Sequence, residues 1–588
     1  MTATPEGQFP ISMWRKYYGR VRSVISTAGE LSIREEQVFL LLAIIIGLFS
    51  GLLVVLFRLL IETLRIMLLG SALRPSFPRV VVVPAVVGLV IAFLVIKVFP
   101  KIRGSGVNQT KGALYIYDGY IASSTVIGKF FVSALAIGSG QSLGPEDPSL
   151  QIGAGVASFL GRKLKLTRER LRLIAPVGAA AGLAAAFNAP ITAVLFVIEE
   201  VIGRWSAGIL GAIVLSAISS VVVERWFLGD TPLFRIPSYH LVHPAELLAY
   251  AAMGVVGGFA SLIFVKVVSY LRPKLRTLPH WTQYFQPAAA GLIIGLIGVR
   301  FPQVMGAGYE YMDQAMHGRF TWQFLAILAG LKILSTALSF ASGTPGGLFA
   351  PVLFIGAMIG GSIGMGAQTF FPHLTIPAGA YALVGMGTLF AGILRAPMTS
   401  VFMIMEVSGN YSIILPVIIS NTIAYLISRS FQPVPIFDIL SRQDGLDLPS
   451  LEEEREVGIL RVEDAMRSAP IRALRSEEPL YSARAVVRNA PDTELLLVSF
   501  PDGRWGAITA ETLMGLTADE TTSLGDHVQI HLPLLYPDQP LDTALRQIKD
   551  WPLLPVIHRA DLRRLVGIIS LKDIIAAYHD QETHEVEE

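Results

Sequence analysis

Three glycine-rich segments contain the residues that are candidates for binding an ion. They lie beside or inside apolar runs and read Gly104-Ser105-Gly106, Gly144-Pro145-Glu146-Asp147-Pro148 and Gly343-Thr344-Pro345-Gly346-Gly347-Leu348-Phe349-Ala350-Pro351. Glycine and proline break helices, and a helix that begins after them exposes free backbone N–H groups. Those donors and the helix dipole can hold an anion without a basic side chain, although glycine also serves tight turns and helix packing.

Ionisable side chains are few in the apolar part of the chain, so each one is informative. Glu146 lies inside the second glycine-rich segment, whereas Glu199 and Glu200 end one long apolar run and Glu406 ends a similar one. A carboxylate among N–H donors can occupy the place of an anion when it is ionised and leave when it is protonated. Such a group would act as a gate and a proton carrier; the alternative is a structural carboxylate at a helix end.

Apolar runs are the elements that must position these residues. Eleven runs follow one another between Val38 and Ile427, and several are shorter than the roughly 20 residues that cross the hydrocarbon core. Short runs interrupted by glycine or proline suit broken or re-entrant helices, which are tolerated at membrane depth where protein covers their ends. The sequence therefore predicts an α-helical polytopic membrane domain.

Two internal matches indicate that this domain is duplicated. The segment Asn188–Glu199 matches Arg395–Glu406 at an offset of 207 residues, and Pro148–Ala154 matches Pro351–Ala357 at an offset of 203. Two matches in the same order predict a repeated unit of about 200 residues, an architecture that ion transporters use. The residues alone leave open whether the repeats are parallel or inverted.

Charge divides the chain of 588 residues into two parts. Residues 1–440 hold 32 basic and 18 acidic side chains, whereas residues 441–588 hold 15 basic and 27 acidic ones. The first part is depleted of charge and the second has the composition of a soluble domain, which excludes a uniform soluble globule, a fibrous repeat and a disordered chain. There is no cysteine, which excludes disulfides and thiolate chemistry, and the net charge of +2 gives no case for a nucleic-acid partner.

Taken together, the motifs resemble those of the CLC family of chloride channels and proton-coupled chloride transporters. The resemblance covers about residues 38–440, with Gly104–Val107, Gly144–Pro148 and Gly347–Pro351 in the order of the family. It implies a homodimer in the lipid bilayer, with one anion pathway per subunit and inverted repeats of broken or re-entrant helices. The implied substrates are chloride and protons.

The resemblance also implies which residues bind the anion. These are the Ser105 hydroxyl and the segment from Gly347, with the backbone N–H groups of Leu348 and Phe349 as ligands. Phe437 stands where many members have a tyrosine whose hydroxyl bonds the central anion. A phenylalanine can close the pathway but cannot donate that bond, so we expect weaker anion retention and looser coupling of protons to anions.

Two glutamates receive roles in gating and proton transfer from the same resemblance. Glu146 is the implied external gate, and Glu200 matches an inner proton-transfer glutamate of the exchangers. The favoured function is a secondary active H⁺/Cl⁻ antiporter, and the alternative is a gated, passive chloride channel on the same scaffold. Pro145 and Asp147 depart from the gate pattern, because a basic residue and a glycine usually stand there. We expect a weakened external anion site, or a proton shared between Asp147 and Glu146.

The polar tail resembles a pair of CBS domains, in which strand-like and helical runs alternate. Ser570 and Asp573 match the hydroxyl and carboxylate residues that hold ribose in nucleotide-binding CBS pairs. No cofactor is required, and an adenine nucleotide (ATP, ADP or AMP) stays open against a purely structural role. The predicted divisions are a cytosolic N-terminal segment at 1–36, the membrane domain at 37–440 with repeats at about 37–230 and 245–432, a linker at 441–457, CBS domains at 458–520 and 521–580, and an acidic tail at 581–588.

Basic flanks predict the orientation in the membrane. The stretch 162–172 is densely basic and should face the cytoplasm, as should the N-terminal segment and the CBS tail, and an anionic-lipid site is the alternative role for that stretch. We expect an integral, multi-pass protein of the plasma (cell inner) membrane. With no cysteine and no histidine inside an apolar run, a buried nucleophile–base pair has little support, so we expect no enzymatic activity and no metal site.

Overall fold

The computed structural model divides the chain into two compact units, Met1–Leu451 and Glu452–Glu588. The residues described are 35–70, 77–203, 207–230, 233–234, 244, 246–370, 378–446, 448, 460–468, 473–489, 495–528, 530–537, 539–548, 551–558 and 561–587. The predicted N-terminal segment up to residue 34 and most of the predicted linker lie outside these residues.

The first unit is built from α-helices. Their bounds are α1 Glu35–Leu69, α2 Phe77–Phe93, α3 Gly106–Tyr115, α4 Ser123–Gly138, α5 Glu146–Lys163, α6 Arg168–Phe187, α7 Pro190–Phe196, α8 Ala207–Leu228, α9 Glu246–Arg276, α10 Gln286–Arg300, α11 Tyr309–Met316, α12 Trp322–Ala341, α13 Phe349–Phe370, α14 Ala378–Leu394, α15 Pro397–Ser408, α16 Ile414–Phe431 and α17 Ile436–Gln443. Within the described ranges, eight helices are long and apolar enough to cross a membrane, and shorter apolar helices, among them α4, α10 and α14, lie between them. The predicted membrane domain with short and broken helices is confirmed.

Glycines let the central helices of each repeat approach closely. In the first repeat, a Cβ on Gly178 of α6 would overlap the carbonyl oxygen of Gly153 on α5. In the second repeat, a Cβ on Gly385 of α14 would overlap the carbonyl oxygen of Gly356 on α13. Small residues at helix contacts allow such backbone approach inside membranes. The same device therefore holds the corresponding helix pair in both repeats.

The two repeats meet at a reciprocal backbone bridge. Gly144 and Gly347, which are 203 residues apart, pair in antiparallel fashion. The Gly144 N–H donates to the Gly347 carbonyl at 2.9 Å, and the Gly347 N–H donates to the Gly144 carbonyl at 2.8 Å. Reciprocal contact between equivalent residues is what a two-fold axis produces. Because the two bridge residues each lie two positions before a helix, the N-termini of α5 and α13 lie side by side.

The second unit contains two small sheets. Its elements are α18 Val462–Ala465, β1 Arg467–Ser468, β2 Leu474–Arg475, α19 Leu480–Asn489, β3 Leu495–Ser499, β4 Trp505–Thr509, α20 Ala510–Gly515, β5 Ile530–Leu532, α21 Leu541–Gln547, β6 Leu554–His558, β7 Asp561–Ile569 and α22 Leu571–Glu587. One sheet has the order β2-β3-β4-β5, and the other has the order β1-β7-β6. The strands and helices predicted in the tail are confirmed.

The two halves of this unit exchange their terminal strands. β1 lies in the predicted first half but pairs with β7, and β5 lies in the predicted second half but pairs with β4. The cores follow the sheets, because Val462 of α18 is buried with Leu554 and Ile574 of the second half. Each half therefore completes its core with residues from beyond the boundary predicted near residue 520.

Candidate functional site

The Ser105 segment forms a cluster of hydrogen-bond donors at the start of α3. Gly104 has φ of +86°, a backbone conformation that glycine adopts without strain. The turn that it makes places Ser105 at the N-cap of α3, where its side-chain oxygen accepts from the Val107 N–H at 3.1 Å. The Ser105 hydroxyl and the N–H groups of Gly106 and Val107 therefore converge on one point, which has the positive end of the helix dipole behind it.

The carboxylate of Asp147 occupies that point. Its Oδ1 accepts from the Ser105 hydroxyl at 2.7 Å and from the Val107 N–H at 3.0 Å. Its Oδ2 accepts from the Gly106 N–H at 2.8 Å. Asp147 is only 1% exposed, so these bonds are shielded from water. The residue predicted to modulate the gate thus binds the Ser105 hydroxyl, which the resemblance gives to the anion, and the two N–H groups beside it.

Glu146 faces a different helix N-terminus. The Ala350 N–H at the start of α13 donates to its Oε2 at 3.3 Å. Its Oε1 is buried and has no hydrogen-bond partner among the described residues. Pro145 precedes it as the N-cap residue of α5. Since the glycine bridge holds α5 against α13, the adjacent carboxylates of Glu146 and Asp147 reach two separate donor clusters.

The remaining predicted anion ligands surround the same region. Leu348, Phe349 and Phe437 are all buried, and the rings of Phe349 and Phe437 lie with their centroids 6.2 Å apart. The Asn108 side chain of α3 donates to the Phe437 carbonyl at 2.8 Å, which ties the start of α17 to α3. A Cβ on Gly347 would lie 2.9 Å from the Asp147 Cβ, so a side chain would not fit there. The structure thus brings these residues together around the start of α5.

Glu200 lies in a π-helical turn, Val197–Ile202, and forms a buried cluster with two residues that the sequence reasoning missed. The Lys111 Nζ is 2.5 Å from the Glu200 Oε1 and 3.5 Å from the Asp438 Oδ1. The side chains of Lys111, Glu200 and Asp438 are 1%, 6% and 7% exposed. The sequence feature that could have indicated these two residues is their position, since Lys111 follows Ser105 by six residues and Asp438 follows Phe437 directly.

Two further buried lysines were also missed, and they occupy equivalent positions in the two repeats. The Lys129 ammonium donates to the carbonyls of Ile102, at 3.3 Å, and Gly104, at 2.9 Å. The Lys332 ammonium donates in the same way to the carbonyls of Val304, at 3.0 Å, and Gly306, at 2.7 Å. Each lysine therefore fixes the loop that precedes a short helix, and Lys129 fixes the loop that carries Ser105.

The carboxylates of Glu199 and Glu406 join the repeats. The Glu406 Oε2 accepts from the Thr192 N–H at 2.7 Å and from its hydroxyl at 2.6 Å. The Glu199 Oε2 accepts from the Thr399 N–H at 2.9 Å and from its hydroxyl at 2.8 Å. Each carboxylate satisfies free donors in the first turn of the opposite repeat's helix. Their geometry is that of reciprocal helix caps.

The two residues predicted to hold a nucleotide are in contact with each other in the second unit. The Ser570 N–H and hydroxyl donate to the Asp573 Oδ2 at 2.8 and 2.6 Å. The Arg467 Nε lies 2.8 Å from the Asp573 Oδ1. These bonds close the start of α22. Among the described residues, no group of three or more histidine, aspartate or glutamate side chains could hold a metal ion.

Fold and site together define a class of protein, an ion-transport membrane protein with inverted repeats and a strand–helix tail. The chain belongs to the CLC family, since the family described as voltage gated chloride channel matches residues 87–429. The CBS domain family matches residues 525–580.

Relatives and solved structures agree with this assignment. The chain is 32% identical over 353 residues to a ClcB-like chloride channel protein of Ralstonia nicotianae. The matched region covers 58% of this chain and 82% of the relative. It is 30% identical over 418 residues to the H(+)/Cl(−) exchange transporter ClcA of Salmonella arizonae, which covers 68% of this chain and 88% of the relative. The crystal structure of a slow cyanobacterial Cl⁻/H⁺ antiporter superimposes with a TM-score of 0.64 at 23% identity, over 71% of this chain and 99% of that one. That last likeness concerns the fold alone.

Proposed function

We propose that this chain is a secondary active H⁺/Cl⁻ antiporter in which Glu146 gates the anion pathway. The observation that carries the proposal is the burial of the Glu146 carboxylate at the N-terminus of α13, where one oxygen accepts from the Ala350 N–H and the other has no hydrogen-bond partner in the described part of the chain. A charged group in that position competes directly with an anion for the same donors. It can leave only when it is neutralised or displaced, which links the anion to a proton.

The chloride ligands in this proposal are uncharged. The Ser105 hydroxyl and the N–H groups at the starts of α3 and α13 supply partial positive charge, which is strong enough to replace water and weak enough to allow release. The proton takes a second route through Glu200. Exchange is supported by this second buried glutamate and by the similarity to the Salmonella relative, an H(+)/Cl(−) exchange transporter.

A passive chloride channel is the second candidate. The observation that favours it is Phe437, a buried side chain without a hydroxyl beside the starts of α3 and α13. Without that donor the anion is held less firmly, and transport can proceed without a proton.

Simultaneous chloride and proton flux in liposomes separates the two candidates. Under an imposed chloride gradient, the antiporter moves protons against their own gradient. Glu146→Gln and Glu200→Gln should each abolish proton movement. Glu406→Gln is the matched control, because it removes a carboxylate from a helix cap and should leave proton movement intact. Chloride flux without proton flux in the wild type at every pH would establish the channel.

We also propose a homodimer in the plasma membrane, with the N-terminus and the CBS tail in the cytoplasm. The cysteine-free sequence makes the orientation testable. A single cysteine introduced at Glu520, a surface position of the tail, should react with an impermeant maleimide only after the cells are opened. Labelling of intact cells would reverse the proposed orientation. Cross-linking in membranes tests the dimer.

Regulation by an adenine nucleotide is a proposal that rests on the contact between Ser570 and Asp573. The Arg467 guanidinium beside them offers a phosphate partner. Isothermal titration of the full chain with ATP and AMP should show binding that Asp573→Asn weakens. Heat from neither nucleotide would leave the tail a structural role.

A further inference from the structure

The donors that the proposed function gives to chloride at the start of α3 are already engaged by the protein itself. Three charge-assisted hydrogen bonds reach the Asp147 carboxylate, from the Ser105 hydroxyl and the N–H groups of Gly106 and Val107. Hydrogen bonds to an ionised acceptor are about twice as strong as neutral ones. A chloride ion cannot use the same donors while this carboxylate stays in place.

Close packing aims the Asp147 side chain at this point. A Cβ on Gly106 would lie 2.5 Å from the Asp147 carbonyl oxygen, and a Cβ on Gly347 would lie 2.9 Å from the Asp147 Cβ. The backbone at Asp147 is therefore held between α3 and the glycine bridge. The backbone cannot retreat without moving both helices, so a rotation of the side chain is the movement that would free the donors.

We propose that Asp147 is a tethered anion, a second carboxylate gate that occupies the site at the start of α3 and must leave before chloride binds there. This inference rests on the proposed function, because it takes chloride to be the displaced ligand. Glu146 and Asp147 then form a tandem gate, in which neighbouring residues of one helix turn close the donor clusters of α13 and α3.

A tethered competitor lowers the apparent affinity for the free anion. The observed Kd equals the intrinsic Kd divided by the fraction of molecules in which the site is free. A carboxylate that occupies the site about 90% of the time weakens chloride binding about tenfold, and one that occupies it about 99% of the time weakens it about a hundredfold. Removal of the carboxylate should restore the intrinsic affinity.

Equilibrium titration of chloride into the purified full chain in detergent tests this inference without any transport step. Asp147→Ala should bind chloride at least about tenfold more tightly than the wild type. Asp147→Asn keeps the size but presents a neutral amide to N–H donors, so it should also bind more tightly. Asp313→Asn, which removes an exposed carboxylate from α11, is the control and should match the wild type.

Two further measurements keep the outcome decisive. Adding Ser105→Ala to Asp147→Ala should weaken chloride binding again, because it removes the freed hydroxyl. Size-exclusion profiles and melting curves verify folding, and if the alanine variant fails to fold, the asparagine variant decides. An affinity within about twofold of the wild type in the folded variants overturns the inference. If none of the folded variants binds chloride, the inference is also overturned. The proposed antiporter function is tested separately, by the chloride and proton flux measurements.

Discussion

The buried cluster around Lys111 allows a sharp prediction about stability. One ammonium group balances two carboxylates, at 2.5 Å from Glu200 and 3.5 Å from Asp438, and all three side chains are almost inaccessible. Removing one partner of a buried ion pair costs about 3–5 kcal/mol, because the remaining charge stays out of water. Lys111→Met keeps the length of the side chain and leaves two uncompensated carboxylates. We therefore expect it to lower the free energy of unfolding by about 5 kcal/mol.

A second substitution identifies the source of that loss. Adding Glu200→Gln to Lys111→Met removes one unpaired charge, so the double variant should be more stable than Lys111→Met alone. Lys129→Met is the matched control, because its ammonium contacts backbone carbonyls instead of carboxylates. It should cost about 1–3 kcal/mol for each carbonyl left without a donor, and Glu200→Gln should recover none of it.

Unfolding in detergent micelles by guanidinium, followed by tryptophan fluorescence, measures these differences. The reasoning about the ion pair is refuted if Glu200→Gln destabilises Lys111→Met by as much as it destabilises the wild type. It is equally refuted if Lys111→Met loses less than about 1 kcal/mol, since such a loss is typical of an exposed ion pair.

Two further predictions concern the scaffold, and the same unfolding assay measures both. Glu199→Gln and Glu406→Gln should each lower the free energy of unfolding by about 1–2 kcal/mol, as the loss of a helix cap does. Because each carboxylate contacts a different helix, the two costs should add in the double variant. A coupling energy above about 1 kcal/mol would contradict this. Gly385→Ala should cost about 3 kcal/mol, the upper end of the usual overpacking cost, or prevent folding, since its Cβ would overlap the Gly356 carbonyl oxygen. Gly330→Ala, at a helical position with open space around it, should be neutral or stabilising by up to about 1 kcal/mol, and equal effects at the two glycines would refute the packing argument.

The duplication was predictable because it lies in local sequence patterns. The matched segments Asn188–Glu199 and Arg395–Glu406 begin with residues in the left-handed region, at φ of 53° and 61°, and continue into equivalent helices. Such turn and helix signals are encoded within a few residues. The short apolar runs in the tail that predict strands are local in the same way, and β3, β4, β6 and β7 form at such runs. The glycine bridge between the repeats is not a local pattern, since its two residues are 203 positions apart.

The contacts of the charged residues were not predictable, because they join distant parts of the chain. Asp147 meets a serine 42 residues before it, and Glu146 meets an N–H group 204 residues after it. Lys111 and Glu200 are 89 residues apart. The bonds from the ammonium groups of Lys129 and Lys332 to loop carbonyls likewise join residues about 25 positions apart.

The two repeats share features of their scaffold but differ at the site. Lys129 and Lys332 fix equivalent loops, and the glycine bridge lies on the axis. The Glu146 carboxylate has no counterpart in the second repeat, because Phe349 occupies the equivalent position at the offset of 203.

Each repeat therefore contributes different groups to the site. The first supplies both carboxylates and the donors of α3, and the second supplies the donors of α13 that face Glu146. Because Glu146 and Asp147 share one helix turn beside the axis, a displacement of α5 would change both donor clusters together. The duplicated scaffold fixes where the two helix N-termini meet, and the unduplicated carboxylates decide what occupies them.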